Sequence, residues 1–260
     1  MKVMYWNCTA PSNGQSLFDQ EKRQLIAIVV RALAPDLLCL DEFSKGVVDT
    51  NSADNFARNE LNGAGVKYTS GEVIVNPGVH LNTVTFFKRK SPIAFAFSQG
   101  IPDKRLATGL TIRDLTKCSY NEGGRDISIW FIHANASTAG GHEAVSLAWK
   151  SVENKYQAII GDFNCPIGHV NKGAVKPSVA LYWFTQWKRN DYGSMEVPGG
   201  NPPQKIDPHD TIDYGIADAK ALRLFPDDAI FFLKDKQMRK LFLNFDHFPI
   251  AYDVFCKNSY

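Results

Sequence analysis

Polar residues stand at the edges of apolar, strand-like runs in several places along this chain. Asn7 follows Lys2 to Trp6, Glu42 comes shortly after Leu37 to Leu40, and His133 follows Ile127 to Ile132. Asp162 and Asn164 follow Gln157 to Ile160, Asp213 lies within Thr211 to Ile216, and the pair Asp246-His247 precedes Ile250 to Phe255. Open α/β sheets present their ligands at such strand ends. The residue types suit one chemistry: carboxylates and an amide oxygen match a hard cation such as Mg²⁺, and two histidines can move protons near neutral pH. In Gly161-Asp162-Phe163-Asn164 the acid and the amide are two positions apart, so an extended backbone aims both to the same side. His247 needs an acid to orient it, and Asp213 is the natural candidate. Each residue alone has a plainer reading as a cap, turn former or solvated group. Together they describe a kit for metal-assisted hydrolysis.

The elements that must position these residues can be read from periodicity. Lys2 to Trp6 reads as a strand. Ser16-Leu17-Phe18-Asp19 resembles a capping box, and Leu25, Ile26, Val29, Val30 and Leu33 recur at helical spacing up to Pro35, which predicts a helix over Leu17 to Ala34. Leu37-Leu38-Cys39-Leu40 is a continuous apolar run, as expected of a strand buried on both faces. A short helix is expected around Phe56 to Leu61, then strands at Glu72 to Val75, Leu81 to Phe87, Ile93 to Phe97 and Thr108 to Ile112. Asn121-Glu122-Gly123-Gly124 reads as a hairpin turn leading into Ile127 to Ile132. Helices are expected around Glu143 to Val152 and Val179 to Lys188, and strands at Gln157 to Ile160, Thr211 to Ile216, Ala229 to Leu233 and Ile250 to Phe255. Pro198 to Pro203 reads as a long surface loop, with no repeat or low-complexity segment elsewhere, so residues 1–260 are expected to form one α/β domain.

Composition excludes several classes. The 260 residues carry 29 Lys+Arg against 27 Asp+Glu, a net charge of +2, and 44% are hydrophobic, which is an ordinary globular balance. The near-neutral charge and a pI of 8.2 mean that any phosphate-binding surface must be local. No run approaches the ~20 apolar residues of a membrane span. The first residues lack a secretory h-region, so the chain is expected either to have no signal or to have lost it, which leaves the compartment open. The five cysteines are scattered without a C-x-x-C pair and read as buried thiols of a reducing compartment, though their spacing also permits one disulfide. No G-x-S-x-G elbow or phosphate-binding P-loop occurs, and His142-Glu143-Ala144-Val145-Ser146 stops short of the zinc motif H-E-x-x-H.

The order Trp6-Asn7, Pro35-Asp36 leading to Glu42, His133, Gly161-Asp162-Phe163-Asn164, Ile212-Asp213-Tyr214 and Asp246-His247-Phe248-Pro249 resembles the endonuclease/exonuclease/phosphatase superfamily over essentially the whole chain. A finer resemblance is to the catalytic subunit of cytolethal distending toxins, in the loop Ile132 to Gly141 and the arginine-led segment Arg105 to Arg113. Two positions depart from the family pattern: Asp41 stands where a Gln usually precedes the acid, and Phe245 stands where a Ser usually precedes Asp-His. Deoxyribonucleases of this family support the first histidine with an acid, for which Asn82 is the nearest match here.

The resemblance implies a four-layer α-β-β-α sandwich of two packed mixed sheets with helices outside. It also implies roles. Glu42 and Asp246, helped by Asn7, would hold Mg²⁺, with Mn²⁺ or Ca²⁺ as alternatives, against a phosphate oxygen. His247, held by Asp213, would accept the proton of an attacking water positioned by Asp162. Asn164 would hydrogen-bond the pentacoordinate phosphorus centre, and His133 would sit opposite as acid or phosphate ligand. Arg105 would grip the neighbouring phosphate. DNA is the first substrate implied, with Lys88-Arg89-Lys90 and Lys104-Arg105 as local phosphate contacts. A phosphoinositide or other phosphomonoester is second and a sphingomyelin third. A relative that has become a binding module is the non-enzymatic alternative.

Overall fold

The computed structural model describes residues 1–8, 20–43, 49–63, 66–76, 81–89, 93–100, 115–134, 138–153, 155–165, 179–183, 212–218, 220–227, 247 and 249–257. Among them, strands β1 (Lys2–Asn7), β2 (Leu37–Asp41), β3 (Tyr68–Asn76), β4 (Leu81–Lys88), β11 (Leu222–Asp227) and β12 (Ile250–Cys256) build one sheet, in the order β11-β12-β1-β2-β4-β3. Strands β5 (Ala96–Gly100), β6 (Leu115–Glu122), β7 (Arg125–His133), β8 (Gln157–Asp162), β9 (Val179–Trp183) and β10 (Asp213–Asp218) build the other, in the order β5-β6-β7-β8-β10-β9. Each sheet has one central parallel pair, β1 with β2 and β7 with β8, joined by helices α1 (Gln20–Leu33) and α3 (Thr138–Val152); the remaining pairs are antiparallel. A parallel pair requires such a crossover, and a helix supplies it.

Three apolar layers hold the sandwich together. Met4, Trp6, Leu38 and Leu40 pack with Leu25, Ile26, Val29 and Val30 of α1. Val3, Tyr5, Leu37 and Cys39 of the first sheet meet Ile127, Ile129, Phe131, Ala158 and Ile160 of the second. Trp130, Ile132, Ile159, Tyr214 and Ile216 pack with Ala144, Val145, Ala148, Trp149 and Val152 of α3. The layers are therefore helix, sheet, sheet, helix, the predicted α-β-β-α sandwich. Side chains alternate along each strand, which explains the continuous apolar runs: odd positions of β1 and β2 face the second sheet and even positions face α1.

Several elements differ from their sequence reading. Val179 to Trp183 is an edge strand paired with β10, where helical spacing predicted a helix over Val179 to Lys188; pairing with β10 overrides the local period, and 184–188 lie outside the described residues. The helix expected at Phe56 to Leu61 starts earlier, as α2 (Thr50–Phe56), and continues as a π turn over Ala57–Leu61. The Asp49 side chain accepts from the Ser52 backbone N–H and caps α2, which sets the start of the helix ahead of Phe56. The strand expected at Ile93 to Phe97 lies at Ala96–Gly100. β6 and β11, which have charged residues or proline within them, carried too weak an alternation to be predicted. The segments expected at 16–19, 108–112, 198–203 and 229–233 lie outside the described residues. All five cysteines are free thiols, and four are buried. Among the described residues no helix is long and apolar enough to cross a membrane.

Candidate active site

The same alternation that makes the middle layer apolar makes one end of it polar. The inward-facing row of β1 runs Val3, Tyr5, Asn7, that of β2 runs Leu37, Cys39, Asp41, and that of β7 runs Ile127, Ile129, Phe131, His133. β8 contributes Ala158, Ile160, Asp162, and β10 ends in Ala217, Gly215, Asp213. Register aligns the ends: Asn7 lies beside Asp41, His133 beside Asp162, and Asp162 beside Asp213. Asn7, Asp41, Asp162 and Asp213 are nearly completely buried, while Glu42 and His247 are half-buried at the rim. One cluster thus forms from both sheets.

Asp162 is its centre. His133 Nε2 lies 3.7 Å and His247 Nε2 3.8 Å from Asp162 Oδ2, and Asn7 Nδ2 donates to the same oxygen at 3.3 Å. The Asn164 backbone N–H donates to Asp162 Oδ1 at 2.8 Å. Gly161 has to be glycine, because a Cβ there would lie 2.0 Å from the Ile132 carbonyl oxygen, and this close approach lets β8 deliver Asp162 beside His133. Phe163 stacks on Tyr214 at 4.4 Å and fixes the turn that follows. Asn164, in the left-handed region at φ 47°, turns its amide to the Ala134 carbonyl at 2.7 Å, bracing β8 against β7. Glu42 has the same φ at the end of β2.

Each histidine has its own acid. His247 Nδ1 is 2.8 Å from Asp213 Oδ2, and the Trp6 indole N–H donates to the His247 carbonyl at 3.0 Å, tying this residue to β1. His133 Nδ1 is 2.8 Å from Asp41 Oδ2, with Nε2 also 3.7 Å from Glu42 Oε1. Asp41 Oδ2 further accepts from the Tyr5 hydroxyl at 2.9 Å, and Oδ1 from the Thr83 hydroxyl at 2.6 Å and the Glu42 N–H at 2.9 Å.

The charges follow from these contacts. Burial pushes the Asp41 carboxyl up, but His133 and the hydrogen bonds outweigh it and hold Asp41 well below the usual carboxylate range. Asp162 is pushed up to about 6 by burial and by the neighbouring Asp213, against the lowering effect of the two histidines. Burial disfavours the charged ring of His247, yet Asp213, Asp162 and Glu42 together raise it to about 10.

A hard cation suits the oxygens at this rim, Glu42 Oε1 with the amide oxygen of Asn7, better than a soft one. Asp162, Asp213 and His247 also bring ligand-type atoms within 4.8 Å of one another. His247 Nδ1 and Asp213 Oδ2 are already engaged with each other, however, which suits that group to proton transfer rather than ligation.

Solved structures share this architecture. D. rerio TDP2 complexed with single-strand DNA product superimposes with a TM-score of 0.61 at 15% identity, covering 98% of each chain. The human nocturnin catalytic domain with bound sulfate gives 0.58 at 18%, covering 99% of this chain and 94% of that one. An endonuclease/exonuclease/phosphatase from Beutenbergia cavernae gives 0.57 at 15%, covering 98% of this chain and 71% of that one. The chain has the endonuclease/exonuclease/phosphatase fold. No protein-family model and no curated protein sequence matches it.

On this endonuclease/exonuclease/phosphatase scaffold the structure brings together Asn7, Glu42, His133, Asp162, Asn164, Asp213 and His247 of the sequence-predicted set. Arg105 and Asp246 lie outside the described residues. Among the described residues the acid beside His133 is Asp41, and the side chain of Asn82, the nearest match in the sequence, lies outside them. Local sequence places Asp41 at the carboxyl end of β2 beside Glu42 and assigns no role to Tyr5 or Thr83. The signal was present in parity, since Asp41 continues the inward row of Leu37 and Cys39.

Proposed function

We propose that the chain is a divalent-metal-dependent phosphodiesterase that cuts DNA. The observation that carries this reading is the placement of two histidines, each with its own acid, within 3.8 Å of the same oxygen of one buried aspartate at a rim of hard oxygen donors. The TDP2 neighbour's DNA product and nocturnin's sulfate support a site for phosphate esters on this fold. The resemblance of Ile132 to Gly141 to toxin catalytic subunits supports a delivered effector nuclease as its setting.

Glu42 and Asp246, with Asn7, would hold the cation. A bound divalent cation neutralises charge on a phosphate oxygen and opposes the positive charge of His247. Asp162 holds the attacking water, and His247 Nε2 takes its proton while Asp213 keeps Nδ1 protonated and the ring in place. Asn164 has a second amide hydrogen beyond the one given to Ala134, and donates it to the phosphate. Arg105 grips the phosphate next to the scissile one. Hydrolysis of phosphoinositides is the outcome that would displace the DNA reading.

The test is nicking of supercoiled plasmid beside phosphate release from a phosphoinositide, each with Mg²⁺ and with chelator. Nicking that needs the metal, with little phosphate release, is expected. Glu42→Gln should lower nicking by orders of magnitude without lowering Tm, because it removes one of several crowded acids. Phosphate release without nicking would reassign the enzyme to phosphomonoesters, and undiminished turnover in chelator would remove the metal.

A further inference from the structure

Three consecutive residues at the carboxyl end of β1 each give a hydrogen bond to a different member of the cluster: the Tyr5 hydroxyl to Asp41 Oδ2 at 2.9 Å, the Trp6 indole N–H to the His247 carbonyl at 3.0 Å, and the Asn7 amide to Asp162 Oδ2 at 3.3 Å. Alternation along the strand turns Tyr5 toward the second sheet and Trp6 to the opposite face, under α1. Tyr5 and Asn7 therefore act inside the cluster, whereas Trp6 reaches the backbone of the residue that carries the rim imidazole. Trp6 is completely buried and packs in one layer with Met4, Leu25, Leu40 and Ala251, so the core fixes where its N–H points. The His247 ring is held at Nδ1, 2.8 Å from Asp213 Oδ2. One hydrogen bond sets a distance and lets the ring pivot about it. The carbonyl held by Trp6 is a second fixed point on the same residue, and two points set the direction of Nε2, which lies 3.8 Å from Asp162 Oδ2.

We infer that Trp6 is a positioning residue for the general base: its indole N–H holds the His247 backbone so that Nε2 faces the attacking water, and this bond contributes to turnover and not to substrate binding. The inference rests on the role proposed above for His247. Asn7 follows Trp6 directly, so the amide at the cation side and the base at the rim are indexed to the same strand end, one through each face of β1. The indole N–H is a donor only, and its partner is a backbone carbonyl that touches no reacting atom. Its effect is thus confined to geometry. Rate falls steeply when a reacting group is displaced, and a shift of ~1 Å costs about 100-fold. Removing an aim that matters only in the transition state lowers kcat and kcat/KM together and leaves KM in place. Shape and donor can be separated here, because a ring system of the same size without the N–H fills the same space in the core.

The experiment replaces Trp6 by amber suppression with β-(3-benzothienyl)alanine, which keeps the fused rings and puts sulfur where the N–H stands. Plasmid nicking with Mg²⁺ is read as kcat and KM in two backgrounds, wild type and H247A. In the wild-type background kcat should fall about 10- to 100-fold while KM changes less than about 3-fold. In H247A the same replacement should cost no more than about 2-fold, because no imidazole is left to aim. A merely structural role for Trp6 would lower kcat by the same factor in both backgrounds. Equal losses, or an unchanged kcat in the wild-type background, overturn the inference. If the position-6 variant is recovered unfolded by circular dichroism, Phe248→phenyllactate is read in its place. That exchange turns the His247 carbonyl into a weaker ester acceptor and leaves Trp6 in the core. A kcat loss confined to the wild-type background supports the inference, and no loss or equal losses overturn it. Should H247A itself nick at the wild-type rate, the base assignment falls and takes the inference with it, a result distinct from an intact kcat at position 6. Should the substrate prove to be a phosphomonoester, the same cycle is read on phosphate release, with the same outcomes.

Discussion

The two acid–histidine pairs meet at one oxygen of Asp162 and have equal 2.8 Å contacts, yet they are built differently. His133 closes a central strand, is 9% exposed, and leans on an acid gripped by Tyr5, Thr83 and a backbone N–H. His247 stands ahead of β12 at the rim and is tied to the scaffold through its backbone carbonyl and Trp6. The central pair is fixed by the sheets, so its geometry is part of the fold. Among the described residues the rim pair is held by the His247–Asp213 contact and by the Trp6 bond to the His247 carbonyl. This difference suits the role proposed for His247, a base at the rim whose protonation a bound cation would change.

The largest expected effect tests whether His247 and Asp213 form one unit. His247→Ala and Asp213→Ala should each lower kcat by about 10³ to 10⁴-fold, and the double variant should be little worse than the worse single one. The measurement is a double-mutant cycle with Mg²⁺ saturating. Losses that multiply would make Asp213 an independent ligand and move the base to Asp162. The parallel cycle joining His133→Ala to His247→Ala should be closer to multiplicative, because each ring is held by its own acid.

An intermediate effect concerns charge at the rim. His247, raised to about 10, should titrate by NMR well above an ordinary histidine in chelator, and Mg²⁺ should lower its midpoint. The folded value lies above the ordinary one, so the stability this ring contributes is complete below about pH 6.5 and is lost as pH rises through about 10. Denaturant unfolding in chelator should show that decline, and Asp213→Asn should flatten it. An ordinary midpoint for His247 would erase the contrast between the pairs.

The smallest effects belong to the central pair's supports. Thr83→Val and Tyr5→Phe should each cost roughly 1.5 to 3 kcal/mol, as expected for a hydrogen bond to a charged group. Asp41 is held below the usual carboxylate range, so these losses should be full above about pH 4 and should shrink as acid protonates Asp41. A loss that persists unchanged in acid would trace to packing.

The amino-acid sequence by itself determined the strand ends and the residue types at them. Apolar runs such as Leu37 to Leu40 and Ile127 to Ile132 specify buried strands whatever surrounds them, and Gly161-Asp162-Phe163-Asn164 specifies its own turn. Orientation of His247 by Asp213 was equally legible, because a histidine that acts as a base needs an acid and few were placed to serve. Val179 to Trp183 was misread because an edge strand owes its form to the pairing with β10, which no local period encodes. The partner of His133 was hidden for the same reason. Asp41 and His133 are 92 positions apart on different sheets, and only the packing of the two inner faces brings the carboxylate of one to the imidazole of the other. Local sequence sets which way a side chain points along its own strand; which neighbour it meets is decided when the sheets stack.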